Sequence, residues 1–282
     1  MTAAKTTTTT TTTRTTTSTS AADTAADTAA DTAAATRSAA GAALRAEGIK
    51  FATLRSLWIT PVVGLLLTVG FTTIVAAVLG DQDESITSDP GVGIHYGLNF
   101  GQAALVCFAV LLFGQEFSTR MVGLSLTAVP HRGRFYGAKL ALGAAVALAV
   151  GLVGTAGAFA GYAAFVPELW KGPALVRSAT AGVLYPVLLV VFCLGLTAVL
   201  RNLTAAMGLL LPAVFLLSPL LSGVPVVRRA AQFLPDRAGQ YALRYADDPQ
   251  MAYGHWTGLL VMALWAAAAG YGGLRSLRRH GF

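Results

Sequence analysis

The charged residues of one short stretch stand out because long apolar runs lie on both sides of it. Residues 114–135 read GQEFSTRMVGLSLTAVPHRGRF, and their charged or titratable residues are Glu116, Arg120, His131, Arg132 and Arg134. On a helix, Glu116 and Arg120 would form an i, i+4 ion pair in the favoured acid-first order. The chemistry offered by this stretch is therefore charge recognition at the edge of an apolar segment.

The same stretch predicts a short amphipathic helix. Its apolar side chains recur at i, i+4, i+7 and i+11 and share one face: Phe117, Met121, Leu124 and Ala128. Pro130 would end this helix, and HRGRF is expected to turn the chain back through Gly133. A helix with one apolar face needs a surface to cover that face. We expect it to lie on a membrane or to insert into a partner.

Motifs for catalysis are missing from the sequence. It contains no GxxxxGK[ST], HExxH or GxSxG pattern, so neither a phosphate cradle, a zinc protease site nor a nucleophile elbow is predicted. Cys107 and Cys193 stand far apart within apolar runs and do not form a disulfide or metal pattern. We expect no enzyme activity, no cofactor and no metal.

Composition places the chain in a membrane. Of its 282 residues 55% are hydrophobic and only 12% charged, whereas a soluble domain carries about 25% charged residues. The net charge of +7 comes from basic residues that flank apolar runs. That arrangement favours orientation in a bilayer over binding to nucleic acid.

Six uncharged apolar runs are long enough to cross a bilayer, which takes about 20 residues. We therefore predict an all-α integral membrane protein with six transmembrane helices, at about residues 58–80, 97–115, 140–166, 178–200, 203–224 and 256–274. With six spans both termini lie on one side, and that side holds 14 of the 20 basic residues. The positive-inside rule then predicts cytoplasmic termini in a multi-pass protein of the cell membrane.

Three segments outside the predicted spans have compositions that predict other structures. Residues 1–40, rich in Thr and Ala, predict a disordered cytoplasmic tail. Residues 41–57 predict an amphipathic interfacial helix before the first span, with its basic side chains toward anionic lipid. Between the last two spans, roughly Pro225–His255 combines apolar and charged residues. There we expect short amphipathic helices in the outer interface.

Small residues and prolines within the spans predict how the helices pack. Small residues recur at four-residue spacing in the third span, at Gly143, Ala147, Gly151, Gly157 and Gly161. Such stripes let helix backbones approach closely in lipid, either within one chain or between two copies. Prolines in the fourth and fifth spans are candidate kinks: Pro186, Pro212 and Pro219.

These segments together resemble one family, the type 2 ABC-transporter permeases. The resemblance covers residues 42–282 and includes the six-span count and the cytoplasmic termini. LRAEGIKFATLRSLW resembles the basic helix before the first span, and EFSTRMVGLSLTAVPHRGRFYGAKL resembles the loop between the second and third spans. FLPDRAGQYAL resembles the segment before the last span.

The resemblance implies the membrane subunit of an ATP-driven exporter, which dimerises with a second copy or a homologue. Separate ATP-binding subunits would hydrolyse ATP and contact a coupling helix in the 116–135 loop. The contact or hinge positions carried over to this sequence are Glu116, Arg120, Pro130, Arg132, Gly133 and Arg134.

Two other functions remain open from the sequence. The chain could be a membrane-anchored assembly or interaction protein without transport activity, or an intramembrane enzyme acting on lipids. The charges of the 116–135 loop could also do no more than orient the chain in the bilayer.

Overall fold

The computed structural model describes residues 25–26, 28, 41–42, 44–79, 88–118, 132–166, 173–217, 220–221 and 227–279. The chain divides into two units, Met1–Ala42 and Ala43–Phe282. Most of the first unit, and with it the predicted disordered tail, lies outside the described residues. In the described part, every helix longer than two residues belongs to the second unit.

The described part of the second unit contains helices and turns but no strand. The helices in chain order are α1 (44–53), α2 (Arg55–Leu79), α3 (Pro90–Ile94), α4 (Leu98–Ser118), α5 (Arg132–Ala163), α6 (Pro173–Leu200), α7 (Leu203–Pro212), α8 (Arg228–Ala231), α9 (Pro235–Tyr241) and α10 (His255–Arg279). The short α8 and α9 lie in the segment where short helices were predicted.

Five of these helices, α2, α4, α5, α6 and α10, are long and apolar enough to cross a membrane. This confirms the predicted class of all-helical membrane protein. We call the end of the helix bundle beside α1 the near end, where α2 and α5 begin and α4, α6 and α10 end. The opposite end, where α3 and α9 lie, is the far end.

The predicted fifth span, 203–224, is not one uniform α-helix. α7 ends at Pro212, and a π-helical turn, Ala213–Leu217, follows it. Proline has no N–H to donate into the helix, and π-helical structure occurs mostly as single turns within α-helical segments. Pro219 lies outside the described residues. The count of six spans therefore stays a prediction.

Two helices begin earlier than predicted. α5 begins at Arg132 and not near residue 140, and α6 begins at Pro173 and not at residue 178. The expectation that HRGRF turns the chain at Gly133 is wrong, because Gly133 lies in the first turn of α5. The prediction counted uncharged residues and stopped at Lys139, whereas the helix carries this lysine in its buried face.

The small residues of α5 face two different helices of the same chain. A Cβ added at Gly151 would lie 2.7 Å from the carbonyl oxygen of Val183 in α6, and one at Gly143 would lie 2.5 Å from Leu194. Farther along, a Cβ at Gly157 would lie 2.7 Å from Val69 in α2. Ala147 is fully buried, and Gly161 meets Thr73 of α2.

The centre of the bundle is α6, which packs against α4, α5 and α10. Its buried side chains include Tyr185, Leu189, Val190, Cys193 and Leu194. The helix is continuous through Pro186. Close packing on three sides fixes α6 and lets it hold polar side chains in place at the far end.

Replacing Gly151 with alanine should destabilise the protein by about 1–3 kcal/mol, because the new methyl group would press on the backbone of α6. Gly70→Ala is the matched control, since a Cβ there meets nothing within 4 Å. The thermal midpoint in mild detergent should fall for Gly151→Ala and stay level or rise for Gly70→Ala. Equal midpoints for the two variants would contradict the packing described here.

Candidate functional site

Three helices meet at the near end, where α4 ends and α5 begins. Residues 119–131, which join α4 to α5 in sequence, lie outside the described residues. α1 lies against the end of α4 and the start of α5, and Phe51 of α1 packs edge-on against Phe108 of α4 at 6.1 Å between ring centroids. Each helix carries at least one charged residue toward the others. The result is a closed ring of four charges.

The ring alternates acid and base. The amine of Lys139 (α5) lies 2.8 Å from Oε2 of Glu47 (α1) and 2.9 Å from Oε1 of Glu116 (α4). The amine of Lys50 (α1) lies 2.8 Å from the same Oε1 of Glu116 and 3.1 Å from Oε1 of Glu47. We call these four residues the charge ring. Two carboxylates and two ammonium groups leave it with no net charge.

Lys139 is the most buried member, with 1% of the residue exposed. The amine donates hydrogen bonds to Oε2 of Glu47 at 2.8 Å and to the carbonyl oxygen of Leu112 at 3.2 Å. Its contact with Glu116 is an ion pair. The rings of Phe113 and Phe135 lie with their centroids 5.6 and 5.2 Å from the amine, within cation–π range. Two carboxylates, one carbonyl oxygen and two aromatic rings therefore surround the amine.

The two acids are buried as well, Glu47 with 3% and Glu116 with 9% of the residue exposed. Burial by itself would lower the pKa of Lys50, but hydrogen bonding and attraction to Glu116 and Glu47 outweigh it and raise that pKa. Oε2 of Glu116 is buried and has no hydrogen-bond partner among the described residues. This oxygen atom can accept one more hydrogen bond.

The charge ring joins to α1 the two helices that precede and follow residues 119–131 in the sequence. Glu116 precedes this segment in α4, and Lys139 follows it in the first turns of α5. Removing one partner of a buried ion pair leaves an uncompensated charge and costs about 3–5 kcal/mol. A force on the segment would therefore reach α1, α4 and α5 together.

The predicted contact residues lie in different surroundings. Glu116 faces the charge ring within its own chain and not an open surface. Arg132 donates from Nη1 to the carbonyl oxygen of Leu277 at 2.7 Å, one of the last carbonyls of α10, where a positive charge is favourable. Gly133 and Arg134 are half-buried in the first turn of α5. Arg120 and Pro130 lie outside the described residues.

Sequence reasoning missed Glu47, Lys50 and Lys139 as site residues. Residues 41–57 were predicted to place their basic side chains toward lipid, whereas Lys50 of α1 pairs with Glu47, which is buried. The available signal was a set of acids and lysines flanking apolar runs at one membrane face. Only the fold shows that they pair.

A second polar network, at the far end, is uncharged. The hydroxyl of Ser178 donates to the carbonyl oxygen of Leu243 at 2.7 Å, and Nε2 of His95 lies 2.9 Å from the same hydroxyl oxygen. Since serine has one hydroxyl hydrogen, His95 must be the donor at Nε2. Burial lowers the pKa of His95 to about 4, so the ring is neutral at pH 7.

Lys139→Met should destabilise the protein by about 3–5 kcal/mol, since Glu47 and Glu116 would then face each other with Lys50 alone to balance them. Arg275→Met is the control, because Arg275 is an exposed cation in the last turns of α10 and a surface change costs about 0.5 kcal/mol or less. Chemical or thermal unfolding in detergent measures both. A Lys139→Met protein as stable as Arg275→Met would contradict a structural role for the ring.

His95 should make stability depend on pH. Its pKa is about 4 in the folded chain, below the ordinary value near 6.5, so between these values the unfolded chain binds the extra proton. Stability therefore falls as pH falls, by roughly 1.4 kcal/mol per pH unit across that window. The thermal midpoint should drop from pH 7 to pH 5 more steeply in the wild type than in His95→Asn. Identical slopes would contradict a buried neutral His95.

Comparison of the sequence with known proteins finds no matching family model and no significant match among curated proteins. The resemblance to type 2 permeases therefore rests on the sequence segments quoted above. The geometry of the charge ring does not depend on that resemblance.

Proposed function

We propose that this chain is the membrane-spanning permease subunit of an ATP-driven exporter. In this proposal it crosses the cell membrane six times with both termini in the cytoplasm, and it pairs with a second copy or a homologue to form the translocation path. Separate ATP-binding subunits dock on the 116–135 loop and supply the energy.

The observation that carries the proposal is the charge ring at the base of that loop. A subunit driven from outside the membrane needs a stiff connection between the docking segment and the membrane helices. Glu116 and Lys139 provide it on the two sides of the segment, and α1 closes the connection through Glu47. Because a buried ion pair tolerates little separation of its charges, the three helices would move as one body when a partner shifts the loop.

The lack of an evident ion-coupling site also favours a partner chain as the source of energy for transport. Carriers driven by protons or sodium place ionisable residues at membrane depth. In the described part of this chain, the ionisable cluster lies at the near end and is neutralised within itself. The sequence contains no nucleotide-binding motif. ATP hydrolysis is accordingly assigned to another subunit.

The apolar outer surface leaves room for a second copy. Large side chains are exposed along α2 and α10, among them Leu66, Ile74, Val78, Leu260 and Leu264. In a membrane such side chains face either lipid or another permease. Dimerisation through these helices would place two bundles side by side around a shared path.

The test is purification of the tagged chain from its native cells in mild detergent, followed by mass spectrometry of co-purifying proteins and an ATPase assay. An ATP-binding subunit should be recovered in stoichiometric amount. Arg134→Glu should reduce that recovery at least tenfold, since disrupting a charged contact at an interface costs about 2–5 kcal/mol. Arg279→Glu, an exposed charge reversal at the same end, is the control.

Arg132→Glu is a second variant, read separately because Arg132 also contacts the end of α10. Insertion into the membrane should be unchanged in all three variants. Full recovery of the ATPase with Arg134→Glu would remove the docking claim. A well-folded chain that recruits no nucleotide-binding subunit and shows no ATPase activity would instead favour a membrane-anchored assembly protein.

A further inference from the structure

A cavity of about 80 Å³ lies at the far end, between α3, α4, α6 and α9. A single water needs about 10–15 Å³ of such space, so the cavity can hold a group of several heavy atoms. Its polar lining residues come from four parts of the chain: His95, Asn99, Gln102, Tyr185, Gln240 and Arg244. None of the near-end residues takes part.

The cavity is lined by the buried side-chain amide of Gln102, with 3% of the residue exposed. Its Oε1 accepts from the hydroxyl of Tyr185 at 2.6 Å and from Nε2 of Gln240 at 3.3 Å. Within the described residues, the Nε2 of Gln102 makes no hydrogen bond. The cavity wall therefore presents amide donors beside amide and hydroxyl acceptors, held in place by a network that is already formed.

The charges of the residues that line the cavity indicate which charge a bound group would carry. No carboxylate lines the cavity in the described part of the chain, so a cationic group would find no counter-charge in the wall itself. The one full charge, on Arg244, belongs to an exposed residue, while the buried walls are neutral. A hydroxyl group donates and accepts at once and suits both kinds of partner.

The surface beside the cavity is apolar. Asn99 is exposed, and the next residue, Phe100, has its ring stacked on Phe71 of α2 with centroids 4.5 Å apart. Both phenylalanines are exposed large hydrophobic residues. An alkyl chain attached to a group in the cavity could lie along this aromatic pair within the membrane.

We propose that the far-end cavity binds the uncharged, hydroxylated headgroup of an amphiphile, with Gln102, Tyr185 and Gln240 as its hydrogen-bonding residues. Binding needs no ATPase and no transport, so this inference stands apart from the permease proposal. A sugar-bearing or polyol-bearing lipid-like molecule is the class of ligand that fits.

The probe is radiolabelled n-octyl β-D-glucoside, used below its critical micelle concentration with the full chain in phosphatidylcholine nanodiscs. Matched n-octyl phosphate and n-octylammonium test the effect of headgroup charge. Saturable glucoside binding is expected, with the two charged analogues at least tenfold weaker. Tyr185→Phe, which removes one hydroxyl, and Gln102→Leu should each weaken the glucoside about tenfold, the loss of one or two buried hydrogen bonds.

Gln115→Leu is the matched control, because it makes the same change about 20 Å along α4, at the near end. Its glucoside affinity should stay within twofold of wild type. The proposal is overturned if the glucoside does not bind saturably, or if either charged analogue binds as tightly. Glucoside binding that Tyr185→Phe leaves unchanged would place the site elsewhere and overturn it as well. Should Gln102→Leu fail to fold, Tyr185→Phe alone decides.

Discussion

The charge ring is the constraint on which the near end of this protein depends. Its buried members, Glu47, Glu116 and Lys139, are expensive to take out of water, and the cost is offset only when opposite charges meet at close range with hydrogen bonds. The amine of Lys139 donates to Glu47 and Leu112 and lies 2.9 Å from a carboxylate oxygen of Glu116. Because the ring joins α1, α4 and α5, none of these helices can slide without separating a buried pair.

The two ends of the bundle use different polar chemistry. At the near end, oppositely charged side chains pair, and electrostatic attraction is strong there because little water surrounds them. At the far end, neutral groups such as His95, Ser178, Gln102 and Tyr185 share hydrogen bonds. Between them the bundle is closed by small residues of α5 that bring its backbone against α2 and α6.

The long helices could be predicted from the sequence because apolar runs of about 20 residues have few other uses. The residues at which these helices begin and end were less predictable. α5 extends eight residues before the predicted start because Lys139, read as the edge of a span, is buried within the helix. The predicted fifth span reads as uniformly apolar, yet Pro212 ends the α-helix and a π-turn follows.

One of the four residues of the charge ring was predicted as a site residue from the sequence. Glu116 was singled out because it interrupts an apolar run, but its partner Lys50 lies 66 residues away and Glu47 lies 92 residues from Lys139. Pairing across such distances depends on how helices pack, and periodicity within one helix does not report it. The same limit hid the contact of Gln102 with Tyr185 and Gln240, which joins three elements.

A double-mutant cycle between Glu47 and Lys139 tests the central claim most directly. Glu47→Gln, Lys139→Met and the double variant would be compared with the wild type by equilibrium unfolding in detergent. The double variant removes one acid and one base and leaves the Lys50–Glu116 pair intact. The charge ring predicts a coupling free energy of about 2–3 kcal/mol, within the range for residues in one ion-pair network. Additive effects, with a coupling below about 0.5 kcal/mol, would contradict it.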